Sequence, residues 1–281
     1  MKSLPKPQLS ARHFGARRVF AYTDSALFDA SGVRIAFTSR EGGVSEGNFA
    51  SLNLGRNTND AKANVLANTK ILQEAFGICG MPLVVPSQVH GTNFVNVKSA
   101  NKQHVSQVAT VAHEGADAVV VSCLGAATYL CFADCVPVIL VSPTGTFAVC
   151  HAGWRGVVAG IVPKVLKHML SLDAASSTSA CAKEFAAEYN AYIGPHIREC
   201  CFEVGESTKK QFEETCLGAC TVNNNYVSMS KALVNQLTAL GVSSSRICDV
   251  SICTKCNSNK FFSYRASNGV CGRHAAIAFR R

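Results

Sequence analysis

Two histidines and one cysteine have the chemistry and the surroundings of a metal site. His90, Cys135 and His151 each lie at a predicted strand boundary, close to glycine or proline. Two imidazoles and one thiolate suit zinc, and three protein ligands leave one coordination position open for water. Water bound in this way has a pKa of about 7 and serves as a nucleophile near neutral pH. The same ligands also suit copper.

Spacing alone does not select this triad, because the chain contains 8 histidines and 14 cysteines. A thiolate at Cys135 with His151 as its base would instead make a cysteine hydrolase or amidase. In a third interpretation the protein is a non-enzymatic scaffold and the triad is a structural metal clip. Asp134 precedes Cys135 and could orient a histidine, accept a proton, or simply be a solvated turn residue. The residue types and their spacing do not decide between a catalytic metal site, a cysteine hydrolase and a structural metal clip.

The other cysteines are predicted to be mostly free thiols. Several lie in apolar runs, where free cysteine behaves as a small hydrophobic residue, and no apolar signal peptide precedes them. We therefore predict a reducing, cytoplasmic location. Cys253 and Cys256 form a Cys-x-x-Cys that could bind structural zinc with Cys248 and Cys271. Because no second Cys-x-x-Cys accompanies it, incidental thiols are the preferred interpretation, and the pair at 200–201 is interpreted in the same way.

The densest apolar segment of the chain, residues 129–158, positions Cys135 and His151. Short apolar runs bounded by turn residues are typical of buried strands. The runs predict strands at 129–132, 137–142 and 147–150. The turn between the last two lies at 143–145. An antiparallel hairpin about this turn would bring Cys135 and His151 near each other.

Helices and further strands are predicted on both sides of this segment. A helix over 61–76 would be capped by Asn59 and Asp60 and stopped by Gly77. Residues 98–114 are polar and are predicted to form a loop. Further strands are predicted at 33–38, 83–85, 94–97, 116–121, 247–252, 261–265 and 274–279.

Strands and helices mix without a regular βαβ order, which predicts the fold class. We expect an α/β protein of the α+β type, a mixed β-sheet sandwich covered by helices in a single domain. The domain is predicted at 31–281, after a variable basic N-terminal extension at 1–30. Apolar residues recur at helical spacing from 157 to 170, although this pattern contains Pro163. The proline lies either in the first turn of a helix that starts near Gly160 or at a kink in a longer helix.

Composition excludes several classes of function. Apolar residues make up 48% and charged residues 16% of the chain, so a sizeable core can form. Much of the net charge of +9 comes from the N-terminal stretch, where five basic residues precede any acid, which suggests a solvated basic tail, and the rest of the chain is mildly basic. No basic run with interleaved aromatic residues marks a nucleic-acid surface, and no apolar stretch reaches the roughly 20 residues of a membrane span. The pattern favours no particular oligomeric state.

Seven short motifs occur along the chain in a fixed order. They are FTSREGGVS at 37–45, SLNLG at 51–55, QVHG at 88–91, ADCVPV at 133–138, HAGWRG at 151–156, IGP at 193–195 and FSYR at 262–265. Together they resemble the signatures of the laccase-domain family, whose members are called purine nucleoside phosphorylases and, formerly, multicopper polyphenol oxidases. The resemblance covers about residues 33–280 and is far more specific than the triad alone.

The resemblance implies a fold, a metal and a set of activities. The fold would be a mixed α/β sandwich related to the cysteine-hydrolase fold of the cytotoxic necrotizing factor deamidases. His90, Cys135 and His151 would bind the metal, usually zinc. The activities would be phosphorolysis of adenosine, inosine and methylthioadenosine, and hydrolytic deamination of adenosine. The partners would therefore be small-molecule purine nucleosides, with inorganic phosphate as co-substrate.

Roles for the remaining polar residues follow from this resemblance as hypotheses. In deamination, activated water would attack C6 of adenine, as in other zinc deaminases, and Asp134 would move the proton. Arg40 and Arg155 each lie in a glycine-rich turn at a strand end, where an arginine can hold phosphate. We predict a catalytic role for Arg40 and a substrate-binding role for Arg155. Asn53 and Gln88 are predicted to bind the base or the ribose.

A copper-dependent, laccase-like phenol oxidase is the alternative that the older family name suggests. Multicopper oxidases need many histidines, largely in His-x-His pairs, but this chain has 8 histidines and no His-x-His. A trinuclear copper centre is therefore disfavoured, although one copper ion could occupy the triad. The cysteine hydrolase that uses Cys135 and His151 stays as a further alternative.

Overall fold

The computed structural model describes residues 3–175, 185–215, 220–223 and 225–281. Most of its strands belong to two six-stranded sheets. The first sheet contains, in spatial order, β1 (Ser10–Phe14), β2 (Val19–Thr23), β3 (Val33–Thr38), β14 (His274–Arg280), β7 (Ala127–Phe132) and β4 (Leu83–Val84). The second contains β13 (Ile247–Asp249), β10 (Asn190–Ile193), β8 (Val136–Val141), β9 (Phe147–Ala152), β6 (Ala118–Val121) and β5 (Phe94–Val97). A small hairpin joins β11 (Thr221–Asn223) to β12 (Tyr226–Val227).

Both large sheets are mixed. In the first sheet, only the edge strand β4 runs parallel to its neighbour β7. In the second, β13 is parallel to β10 and β5 is parallel to β6, whereas the four central strands are antiparallel. The α-helices whose bounds fall within the described residues are α1 (Ser25–Ser31), α2 (Lys62–Phe76), α3 (Lys102–Gly115), α4 (Trp154–Val158), α5 (Ile161–Ala175), α6 (Glu206–Thr215) and α7 (Met229–Ala239). The predicted α+β sandwich in a single domain is confirmed.

Alternation along the strands places apolar side chains on both faces of each sheet. On β8, Ile139 and Val141 point toward the other sheet, while Val138 and Leu140 pack with the helices that cover the outer face. Strands buried on both faces read as nearly continuous apolar runs, which is why β8 is so apolar. The outer face of the first sheet packs against α2 through residues such as Leu72. The two sheets therefore form the middle layers of the sandwich, with α2 on one outer face and α5 and α7 on the other.

The hairpin of β8 and β9 is confirmed, and it has the predicted consequence for the site. Gly145 in the turn has φ +85° and donates its N–H to the Ser142 carbonyl at 2.9 Å. The register places Pro137 opposite His151. Cys135 precedes β8 directly, so it lies beside His151 at the open end of the hairpin.

The helices that follow the hairpin resolve the question of Pro163. The Lys164 N–H donates to the Gly160 carbonyl at 3.0 Å, and α5 begins at Ile161. Pro163 therefore lies in the first turn, where a backbone N–H has no partner within the helix and its loss costs little. The alternative of a kinked longer helix is wrong.

Helix α2 is confirmed, but its predicted cap is not. The helix begins at Lys62 after Ala61, and no side chain caps it. The carboxylate of Asp60 instead accepts hydrogen bonds from Ser45 at 2.6 Å and Asn53 at 2.9 Å. The C-terminal prediction is correct, because Gly77 adopts φ +64° and its N–H closes the helix.

Several elements differ from the sequence-based expectation. Residues 98–114 contain α3 rather than a loop, and 261–265 contain turns rather than a strand. Helix α3 buries only a narrow face that includes Val105 and Ala112, so its apolar pattern is weak. The region at 1–30, expected to be a weakly patterned extension, supplies β1, β2 and α1, and β1 is largely exposed at the sheet edge. No helix in the described part of the chain is both long and apolar enough to cross a membrane.

Candidate metal centre and cavity

The structure brings the three predicted metal ligands together at one end of the sandwich. One ligand atom each from His90, Cys135 and His151 can be chosen so that all lie within 4.8 Å of one another. His151 comes from β9 and Cys135 from the turn before β8. His90 comes from the loop between β4 and β5, and its φ of +61° is unusual for a residue with a side chain.

Asp117 holds this loop and His151 in place. Its buried carboxylate accepts a hydrogen bond from His151 Nδ1 at 2.7 Å. It also accepts from the backbone N–H groups of His90 at 2.9 Å, Gly91 at 2.7 Å and Val89 at 3.3 Å. One carboxylate therefore fixes the tautomer of one metal ligand and the backbone of another.

Asp117 was not identified as a site residue from the sequence. It stands directly before β6, in the stretch Ala116-Asp117-Ala118, whose neighbours are apolar and buried. A carboxylate within such a run must be paired, since an unpaired buried charge is very costly. The acidic residue in an apolar run was therefore the signal in the sequence that Asp117 has a specific role. The sequence does not show that its partner is His151.

The side chains by themselves form a thiolate–imidazolium pair. Burial would raise the pKa of Cys135, but the charge and hydrogen bonding of His151, with those of His90, lower it to about 6. Burial would lower the pKa of His151, but the Cys135 thiolate and Asp117 raise it to about 9. The pKa of Asp117 is lowered despite its burial, because His151 and two backbone N–H groups donate to it. The thiolate is the form of cysteine that binds metal.

The donor set fits a zinc ion. His151 donates its Nδ1 proton to Asp117. This leaves Nε2 as its ligand atom, the arrangement that is usual for metal-binding histidines. With Cys135 as a thiolate and His90 as a second imidazole, three protein ligands are available. Three ligands fit a catalytic rather than a closed structural zinc site.

Gly153 provides the space in which these ligands meet. A Cβ at this position would lie 2.8 Å from His90 Cδ2 and 3.2 Å from Cys135 Sγ. The φ of Gly153 is −66°, a value that alanine adopts readily. The need for glycine is therefore set by contact with the ligands and not by the backbone.

We expect Gly153→Ala to weaken metal binding while the fold persists. Overpacking costs about 1–3 kcal/mol, which corresponds to roughly a 5- to 150-fold loss of metal affinity. Competition with a chromophoric chelator measures this affinity. Gly205→Ala is the matched control, because its Cβ would meet nothing within 4 Å. Equal affinity in both variants would contradict the crowding described at Gly153.

The triad opens into a cavity of about 590 Å³. A volume in this range suits a small organic ligand. Its polar wall includes two arginines, Arg56 and Arg273, together with Tyr264 and Asp134. The arginines and Tyr264 were not predicted to bind substrate, because they come from loops distant in sequence. The full lining is Gly55, Arg56, Asn57, Thr58, Val85, Pro86, Ser87, Gln88, His90, His113, Cys131, Ala133, Asp134, Cys135, His151, Tyr264 and Arg273.

Two of the predicted substrate or catalytic residues line this cavity, and both are held firmly. Asp134 has φ +91°, and its carboxylate accepts from Thr254 Oγ1 at 2.6 Å and from the Arg265 N–H at 2.7 Å. The Gln88 amide donates to the Cys131 carbonyl and accepts from the Cys131 N–H, each at 2.8 Å. The amide of Gln88 thus extends the edge of β7 and supports the cavity wall.

The other three predicted residues lie outside the cavity lining. Arg40 donates to the carbonyls of Ala50 and Ser258 and lies over the ring of Phe262. Arg155 is exposed and stacks on the neighbouring Trp154 with 4.3 Å between the guanidinium carbon and the ring centroid.

Asn53 is fully buried and supports the loops beside the cavity. Its amide donates to Thr58 and Asp60, each at 2.9 Å, and its oxygen accepts from the N–H groups of Gly55 and Arg273. The structure therefore does not bring Asn53, Arg40 or Arg155 to the triad. A glycine-rich turn at a strand end was too general a signal to identify a substrate contact.

Fold and site together define a metal-binding α+β sandwich, and comparison with known sequences specifies the family. A family model described as multi-copper polyphenol oxidoreductase laccase matches residues 34–281. The chain belongs to this family. The predicted family resemblance is confirmed.

Relatives of this chain carry two kinds of name. The chain is 32% identical over 259 residues to purine nucleoside phosphorylase YlmD of Geobacillus stearothermophilus, covering 89% of this chain and 91% of the relative. It is 31% identical to a purine nucleoside phosphorylase of Bacteroides thetaiotaomicron, with coverages of 89% and 91%. It is 29% identical to adenosine deaminase RL5 of an unknown prokaryotic organism, with coverages of 88% and 94%.

Solved structures share the fold. The crystal structure of YlmD from Geobacillus stearothermophilus aligns with a TM-score of 0.78 at 28% identity, covering 97% of this chain and 100% of that one. The hypothetical protein YfiH of Bacillus licheniformis aligns with a TM-score of 0.80 at 24% identity, with coverages of 93% and 96%. The second similarity supports the fold alone.

Proposed function

We propose that the protein is a zinc-dependent purine nucleoside enzyme. It would catalyse phosphorolysis of adenosine, inosine and methylthioadenosine with inorganic phosphate, and hydrolytic deamination of adenosine. The observation that carries the proposal is a His-Cys-His triad at the wall of a cavity of about 590 Å³ that also contains two arginines. The names of the relatives support both activities. We also propose that the enzyme acts in the cytoplasm.

His90, Cys135 and His151 would hold the zinc ion. A bound zinc ion at such a site supplies Lewis acidity and lowers the pKa of a coordinated water molecule. Asp117 keeps the Nδ1 proton on His151 and so leaves the other ring nitrogen, Nε2, as the atom that would hold the ion. The chain thus provides a fixed set of ligands that need little rearrangement on metal binding.

Deamination needs a group that moves a proton while water adds to C6 and ammonia leaves. Asp134 is our candidate, because it lines the cavity directly beside the ligand Cys135. Its two hydrogen bonds, from Thr254 and the Arg265 N–H, fix the position of the carboxylate. An ionised carboxylate can accept the proton of the attacking water and return it to the leaving amine.

Phosphorolysis needs a cation that holds phosphate as its oxygen attacks C1′ and the bond to the purine breaks. Arg56 and Arg273 are the arginines of the cavity wall, and they replace Arg40 and Arg155 as our candidates for this role. Arginine binds phosphate well because its planar donors match two phosphate oxygens. Arg273 is partly engaged, since it donates to the carbonyls of Cys271 and Gly272. Arg56 is exposed at the cavity and is the more available of the two.

A cysteine hydrolase remains the second candidate function because one observation favours it. The Cys135 thiolate beside the protonated His151 is the ion pair that a nucleophilic cysteine uses. Alkylation of Cys135 in the metal-loaded protein would support this alternative. A bound metal would block the thiolate and make the cysteine resistant.

The experiment that tests the proposed function follows the products of one substrate. The purified protein, with its metal quantified, is incubated with adenosine with and without inorganic phosphate, and the products are separated by chromatography. We expect adenine only when phosphate is present and inosine in its absence. Cys79→Ser, which changes an exposed thiol away from the triad, serves as the control. No turnover by the zinc-loaded protein would overturn the nucleoside proposal and favour the cysteine hydrolase.

We expect Arg56→Ala to impair phosphorolysis and to leave deamination nearly unchanged. A hydrogen bond to a charged group contributes about 1.5–3 kcal/mol, so the KM for phosphate should rise roughly 10- to 100-fold. Steady-state rates at varied phosphate concentration measure this KM. Arg12→Ala, at an exposed position of β1, is the control. An increase of the KM in Arg40→Ala or Arg155→Ala instead of Arg56→Ala would return the phosphate role to the residues predicted from sequence.

A further inference from the structure

Four cysteines from two segments meet at a second place in the molecule. Cys200 and Cys201 lie in the turn after β10, and Cys253 and Cys256 lie in the turn after β13. All four sulfur atoms lie within 4.8 Å of one another. Among the described residues there are two groups of potential metal ligands, and these four cysteines are the second, after the triad.

The separations between the sulfur atoms match tetrahedral coordination. A zinc–sulfur bond of about 2.3 Å gives sulfur atoms about 3.8 Å apart at the corners of a tetrahedron. The Cys200 and Cys201 sulfurs are 3.8 Å apart, Cys200 and Cys256 are 3.7 Å apart, and Cys201 and Cys256 are 3.4 Å apart. A disulfide would need about 2.05 Å, and all four are free cysteines.

Backbone hydrogen bonds hold the two segments against each other. Cys253 forms an isolated parallel bridge with His196, and the Thr254 N–H donates to the His196 carbonyl at 3.0 Å. The Cys201 N–H donates to the Arg198 carbonyl at 2.8 Å, which closes the turn that carries the first two thiols. The four side chains are therefore presented by a scaffold that does not depend on a disulfide.

We propose that Cys200, Cys201, Cys253 and Cys256 form a tetrathiolate zinc site, distinct from the triad. Four protein ligands fill the coordination sphere of zinc, so the site would be structural and not catalytic. Binding would deprotonate the four thiols and release their protons to solvent. The sequence-based interpretation of these cysteines as incidental thiols is thereby replaced, and Cys248 and Cys271, the partners first considered, are not members of the cluster.

The tetrathiolate cluster would stabilise one wall of the cavity. Thr254 lies between Cys253 and Cys256 and donates to the carboxylate of Asp134 at 2.6 Å. On the other segment, the Ile197 N–H donates to the Asp134 carbonyl at 2.9 Å. Both segments that the cluster would join therefore contact the residue before the ligand Cys135. Zinc at this site would act as a clamp that positions the turn containing Asp134.

Metal counting on the full-length protein tests the tetrathiolate site. The protein is produced with zinc, freed of loosely bound ions, and analysed by mass spectrometry of the elements. We expect two zinc ions per chain in the wild type, one in Cys135→Ser, one in Cys256→Ser, and none in the double variant. Cys79→Ser is an exposed single-thiol control and should retain two. Cys256→Ser with the same zinc content as the wild type would overturn the proposal.

Cobalt substitution and thiol protection keep the test valid if Cys256→Ser does not fold. In Cys135→Ser, Co²⁺ should give the strong visible and near-ultraviolet bands of tetrahedral thiolate coordination. Zinc should protect Cys200, Cys201, Cys253 and Cys256 from alkylation until a chelator is added. Iron in place of zinc, disulfides among these four residues, or thiols that alkylate equally fast with zinc would each sink the assignment. Catalysis is measured separately, so failure of the nucleoside assay and failure of this site are distinguishable.

Discussion

Cys135→Ser is expected to remove the catalytic metal and nucleoside turnover together. The substitution keeps the size of the side chain but replaces a thiolate with a hydroxyl, which stays protonated near neutral pH and binds zinc poorly. Only His90 and His151 would remain as ligands, and the negative charge that complements the ion would be lost. Metal activation contributes several kcal/mol to such reactions, so the rate should fall about 10³-fold or more. Steady-state assays and metal analysis of the same sample check both losses.

The matched control for this substitution is Cys123→Ser. Like Cys135, Cys123 is half-buried and free, but it belongs to neither cysteine group. We expect this control to retain metal and activity. Full deaminase activity in Cys135→Ser with no metal bound in the triad would contradict the metal-dependent mechanism. Loss of activity with metal still bound in the triad would instead favour a nucleophilic role for the thiolate.

Local patterns in the sequence were sufficient to predict the centre of the fold. The apolar runs on either side of Gly145 predicted β8 and β9, and the register of that hairpin brings Cys135 to His151. Two of the three metal ligands thus follow from a local rule of pairing. His90 was included because it lies at a predicted strand boundary beside Gly91, a general signal that only the family resemblance made specific, since its position depends on a hydrogen bond to the distant Asp117.

The cavity residues that sequence analysis missed share one feature: the residues they meet in the structure lie far away along the chain. Arg56 and Arg273 reach one cavity from loops more than 200 residues apart. In contrast, Arg40 and Arg155 have the local surroundings expected of an anion site, but their side chains pack on Phe262 and Trp154. Composition at a turn describes what the backbone can do, whereas the direction of a long side chain is set by tertiary packing.

The same limit applies to the cysteines and to the weakly patterned elements. A search for a second Cys-x-x-Cys could not find the adjacent pair Cys200 and Cys201, because the pairing of the turns after β10 and β13 creates the cluster. Helix α3 was missed for a related reason. It packs a narrow apolar face against the edge strands β4 and β5, so tertiary contacts rather than a strong periodic pattern stabilise it.

Asp117→Asn is expected to have the second large effect, although its side chain is not a metal ligand. The asparagine has nearly the same shape, but its NH₂ group must face a backbone N–H or the Nδ1 proton of His151, all of which are donors. A buried donor without an acceptor costs about 1–3 kcal/mol of stability. Loss of the partner that orients a metal-binding histidine usually lowers metal affinity about 10- to 100-fold.

The pH dependence of metal binding separates this positioning role from simple destabilisation. His151 can bind the ion through Nε2 only after it has lost the proton on that nitrogen, which gives the imidazole its positive charge. Without metal, the pKa of His151 is about 9. Wild-type affinity should therefore increase as the pH rises toward 9. Asp117 contributes to that raised pKa, so in Asp117→Asn the pKa falls and the affinity should level off at a lower pH. The maximal affinity of Asp117→Asn should nevertheless be lower than that of the wild type, because the imidazole is less well oriented and less basic.

A variant that only loosened the fold would reduce affinity at every pH and leave the shape of the profile unchanged. Chelator competition between about pH 6 and pH 9.5, a range that includes the wild-type His151 pKa of about 9, distinguishes these outcomes.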